Sequence, residues 1–100
     1  MIKHIENGKF RIELTLPDTN IDVKGSKDNN INIYDDNGHF LCNISELLKD
    51  YSNKNGLRYY EEMYYDVRIL DNERIFCVGF YNHCEVDLKN SCITKIINNR

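Results

Sequence analysis

Only one segment of this chain carries a helical period. Ile44, Leu47, Leu48 and Tyr51 fall at i, i+3, i+4 and i+7, on one face of a helix. Asn43 precedes them as an N-cap, with Glu46 at the reciprocal capping-box position, and residues 53–56 end the run. A helix of about 8–10 residues does not persist alone in water, so it has to lie on something. Elsewhere the period is two. Phe10, Ile12, Leu14 and Leu16 alternate with Arg11, Glu13 and Thr15, and Cys84, Val86 and Leu88 alternate with Glu85 and Asp87. Further strands are expected at 21–23, 31–34, 39–42, 65–70 and 92–97. They are separated by turn chemistry at 17–20, 35–38, 71–73, 81–83 and 89–91. Asn37-Gly38 is the clearest hairpin signal. The run 74–80 is nearly continuous in apolar residues, and 75–80 is expected to be the most buried strand, with Phe76 and Val78 in the core. These connections are too short for parallel crossovers.

The expected class is therefore mainly β (α+β): antiparallel sheet or sheets of about seven to eight short strands with one helix near 43–53. One hundred residues make one domain, 1–100. The first residues, with His4 among them, read as a flexible start. No pattern repeats at a fixed offset.

The composition narrows function by exclusion. Net charge is −3, and residues 61–87 hold seven acids against two bases, Arg68 and Arg74. A phosphate backbone needs clustered Lys and Arg, so nucleic acid is not an expected ligand. There is no apolar leader and no run of the ~20 apolar residues that a membrane helix needs, which points to the cytoplasm. The four cysteines, Cys42, Cys77, Cys84 and Cys92, lack any Cys-x-x-Cys spacing. They are expected to be reduced and free of metal, with Cys84 and Cys92 able to approach across a hairpin. The chain has no nucleophile elbow, phosphate-binding glycine loop or His-Glu-x-x-His. No cofactor is implied and no enzyme is expected.

Residues 59–66 are the densest chemical feature. Tyr59, Tyr60, Tyr64 and Tyr65 sit among Glu61, Glu62, Met63 and Asp66, with Asp71 and Glu73 just beyond. Tyrosine offers rigid contact area with a polar tip, and carboxylates set the sign of the local field. The segment reads as a strand with Tyr60, Glu62 and Tyr64 facing one way. As an interface it would meet a basic protein through Tyr59, Tyr60, Glu61, Glu62, Tyr64, Tyr65, Asp66, Asp71 and Glu73. The plainer alternative is a tyrosine-rich strand of a chain whose 14 Asn, 12 Ile, 8 Lys and 7 Tyr reflect AT-rich coding.

The hairpin Ile31-Asn32-Ile33-Tyr34-Asp35-Asp36-Asn37-Gly38, the helix Ile44-Ser45-Glu46-Leu47-Leu48 and the strands at 66–71, 74–80 and 85–88 carry a resemblance. In this arrangement the chain resembles the small immunity proteins of bacterial contact-dependent growth inhibition and related toxin systems. The resemblance implies a cytoplasmic protein that binds and neutralises one cognate toxin, often a basic nuclease. Two other readings stand beside it: a protein-binding adaptor or subunit without inhibitory role, and a small enzyme or ligand-binding domain.

Overall fold

The computed structural model describes residues 2–16, 30–59 and 62–98. Among these, the elements follow one another as β1 (Ile2–Asn7), β2 (Phe10–Thr15), β3 (Ile31–Asp35), β4 (Phe40–Asn43), α1 (Ile44–Lys54), β5 (Tyr64–Asp71), β6 (Arg74–Gly79), β7 (Asn82–Asp87) and β8 (Cys92–Asn98). The strands form two four-stranded antiparallel meanders, β1-β2-β3-β4 and β5-β6-β7-β8, with α1 between them in the chain. The expected class, mainly β with one helix, is the class observed.

Local chemistry explains the turns. Gly8 takes φ +61° between β1 and β2, and a side chain there would press on the Asn72 carbonyl. Asp35 holds the β3–β4 turn by accepting from the Asn37 and His39 amides at 2.9 and 2.8 Å. Asn43 caps the helix, accepting from the Ser45 amide at 2.9 Å. Glu46 instead reaches Lys49 Nζ, at 3.5 Å.

Alternation then builds the core. Ile12, Leu14, Ile31 and Ile33 of the first sheet pack with Ile44, Leu47 and Leu48 of α1 and with Ile75, Cys77, Cys84 and Val86 of the second sheet. Each fully buried Ile or Leu contributes about 1.5–3 kcal/mol of apolar transfer. Two asparagines stitch the sheets. The Asn30 amide donates to the Tyr64 carbonyl at 2.5 Å and accepts from the Tyr64 amide at 3.4 Å. Asn7 Nδ2 donates to the Asp71 carbonyl at 2.7 Å. Main-chain groups at the two ends of β5 are thus taken by side chains of the other sheet.

The registers gather four hairpin turns at one end. Phe10 pairs with Asn7 and Asp35, and Arg74 pairs with Asp71 and Asp87. The opposite end carries the start of α1, the start of β5 and the β6–β7 turn. Among the described residues no helix is long and apolar enough to cross a membrane.

The structure corrects several local expectations. The start of the chain is a strand, β1, and His4 lies within it. The strand begins at Tyr64 rather than Tyr59. β6 ends at Gly79, so Phe80 lies outside it and is exposed. Phe76 is only half-buried, and Val78, though buried, stands apart from the core cluster: both lie on the face turned away from it. The strand expected at 21–23 lies outside the described residues.

Candidate protein-binding surface

The 59–73 segment divides between interior and surface. Glu62 and Tyr64 are each 1% exposed. They cannot touch a partner, which corrects their assignment to the interface. Tyr60 and Glu61 lie outside the described residues. Tyr59 is half-buried, with Lys49 Nζ 5.5 Å from its ring centre. Tyr65, Asp71 and Glu73 are exposed, and Asp66 is partly so. The carboxylates are also less available than their number suggests. Asp66 lies 3.6 Å from Arg68, and Asp71 accepts from Arg74 Nε at 2.7 Å and from the Glu73 amide at 2.9 Å. The Glu73 amide, and then Arg74, hold the Asp71 carboxyl below its ordinary range.

Glu62 organises what lies beside it. Its carboxylate accepts from the Tyr81 amide at 2.9 Å and the Asn82 amide at 3.2 Å, and the Phe80 amide also acts on it. The acid therefore fills the β6–β7 turn from beneath. Burial pushes its carboxyl above the usual range, and the amides pull it only part of the way back. Gly79 is required by the same packing: a Cβ there would collide with the Glu62 carboxylate and with the Asn82 carbonyl.

The turn held this way presents Phe80 and Tyr81, 61% and 68% exposed. The Phe80 ring lies 5.3 Å from that of Tyr65, which is itself 45% exposed. Across the same outer face, register aligns Asp66, Val78, His83 and Ile97, and the His83 ring packs 5.3 Å from that of Phe76. The result is an aromatic patch edged by Asp66 and Arg68. Sequence reasoning took Phe80 for core and Tyr81 for a plain turn. The usable signal was Gly79, which interrupts an apolar run.

A separate cleft of about 500 Å³ opens among the hairpin turns, between Gly8, Phe10, Asn72 and Lys89. Among the described residues no group of three or more His, Cys, Asp or Glu is arranged to hold a metal. Compared with models of known protein families, with curated proteins and with solved structures, the chain matches none.

Proposed function

We propose that the protein is a cytoplasmic immunity protein: it binds one cognate, basic protein toxin and blocks it, without catalysis of its own. The observation that carries this reading is an exposed trio, Tyr65 on β5 beside Phe80 and Tyr81 on a turn fixed by a buried carboxylate. Aromatic anchors on a rigid support lose little side-chain entropy when they bind, and such residues dominate interface energetics. The net charge of −3 favours a basic partner and speeds the encounter with it. In this reading the interface comprises Tyr65 and the β6–β7 turn, with Asp66 at its rim, rather than the whole of residues 59–66. If the toxin is a nuclease, the Asp66 carboxylate would take the place of a substrate phosphate.

The test is capture of the product of the gene immediately upstream, followed by toxin challenge of cells carrying variants. Phe80→Ser and Tyr81→Ser should abolish capture and protection while the fold persists. Asp66→Lys should slow association and weaken its dependence on salt. Capture without protection would assign an adaptor instead. Folded Phe80→Ser and Tyr81→Ser proteins that still protect would place the interface elsewhere.

A further inference from the structure

We infer that Cys77 and Cys84 form a modification site: a thiol pair placed to close into a cross-strand disulfide when a low-molecular-weight disulfide such as oxidised glutathione acts on the protein. The inference does not depend on the identity of any partner. It rests on register. Cys77 on β6 stands directly opposite Cys84 on β7. Directly opposed residues of antiparallel strands have Cα atoms about 4.5–5.5 Å apart, inside the roughly 4.4–6.8 Å that a disulfide spans. Both side chains face the core and are fully enclosed. The Cys84 Sγ also lies 3.5 Å from Tyr64 Oη.

The other thiols lack this relation. Cys92 is opposite Asp87, and Cys84 is opposite Ile96, so the approach of Cys84 to Cys92 suggested by the sequence does not occur. Cys42 belongs to β4, in the other sheet. All four cysteines are free thiols in this structure.

The chemistry balances without any group beyond the named oxidant. The Cys84 thiolate attacks glutathione disulfide, forming a mixed disulfide and expelling one glutathione thiolate. The Cys77 thiolate then attacks the Cys84 sulfur and expels the second. Two protein thiols lose two electrons, glutathione disulfide gains them, and two protons pass to the expelled thiolates. The neighbouring Cys77, and then the Tyr64 hydroxyl turned to donate, lower the Cys84 thiol against its burial, whereas Cys84 and burial push the Cys77 thiol up. Attack in the opposite order yields the same bridge. Access requires a transient parting of β6 and β7, the strands joined by the Phe80-Tyr81 turn. Once formed, the bridge would pin the two strands beneath that turn.

The test exposes folded, reduced protein to graded ratios of oxidised to reduced glutathione, quenches with acid, alkylates and maps peptides without reduction. Trypsin leaves both residues on one peptide, 75–89, because Arg74 and Lys89 flank it and no Lys or Arg lies between. The expected result is a fall from four free thiols to two, with that peptide unlabelled and two hydrogens lighter. A Cys42→Ser, Cys92→Ser double variant should behave identically. The inference is overturned if the peptide keeps both labels at the most oxidising ratio while urea-unfolded protein oxidises. It is equally overturned if Cys42 and Cys77 lose their labels together, or if glutathione remains attached to Cys84.

Discussion

In the first meander the apolar side chains turn inward: Ile12, Leu14, Ile31 and Ile33 are fully enclosed, while Arg11, Glu13 and Asn32 face outward. The second meander has the same strand order but distributes its chemistry differently. Its interior holds Cys77, Cys84 and the Tyr64 hydroxyl, and its exterior carries Tyr65, Ile69, Leu70, Phe80, Tyr81 and Ile97. Among the described residues, only Ile2, Phe40 and Leu41 of the first are comparably exposed. Because the two sheets share a topology, the first shows what the architecture requires of a sheet. The aromatic exterior of the second exceeds that requirement, which supports a role in binding.

Substitutions can break this comparison. The largest expected effect is in the first sheet. Ile33→Ala should lose about 2–5 kcal/mol in urea unfolding, as a fully enclosed aliphatic residue does. Phe76→Ala, half-buried on the outer face of the second sheet, should lose only about 1–2 kcal/mol despite removing more atoms. The reverse order would show that the outer face of the second sheet is a structural core.

Next comes the acid beneath the aromatic turn. Glu62→Ala leaves turn amides without their acceptor and should cost about 2–4 kcal/mol. Its pH dependence has a definite sign. Burial raises the folded-state pKa of Glu62 above the ordinary 4.5, so the folded protein binds the extra proton. The stability of wild type relative to Glu62→Gln is therefore greatest below about 4.5 and declines as pH rises through the folded value. Chemical denaturation of both proteins across that window checks it, and an advantage growing with pH would mean the amides outweigh burial.

A smaller loss, about 1–3 kcal/mol, is expected for Asn30→Ala, which strips both main-chain groups of Tyr64 of their partner. The least effect on stability belongs to the patch. Phe80→Ser and Tyr81→Ser should shift unfolding by no more than about 0.5 kcal/mol, yet weaken partner binding at least about tenfold by calorimetry. A large stability loss at both positions would remove the contrast between the sheets.

What was legible in the sequence followed from period and turns. The alternation at Phe10, Ile12 and Leu14 located β2, Asn37-Gly38 located the β3–β4 turn, and the lone 3.6 period placed α1 within a residue or two of its ends. β1 escaped because its side chains are almost all exposed, which leaves Lys3, His4 and Glu6 without a face to contrast with. The interior placement of Glu62 and Tyr64 escaped for a different reason. Charge and aromaticity in a strand do not reveal which side faces the core. Glu62 looked like surface, and only the fold brings the amides of residues 80–82, about twenty positions away, onto its carboxylate. Conversely, Phe80 looked like interior until Gly79 ended the strand.

The asparagine stitches bear on solubility. β5 lies at the border of its sheet and displays Ile69 and Leu70 to water, features that in an unguarded strand recruit further chains edge to edge. Asn30 and Asn7 already occupy main-chain groups at its two ends, doing with a side-chain amide what another molecule's backbone would otherwise do. Removing both amides would leave a protein whose first failure on storage or at high concentration is fibrillar association rather than unfolding.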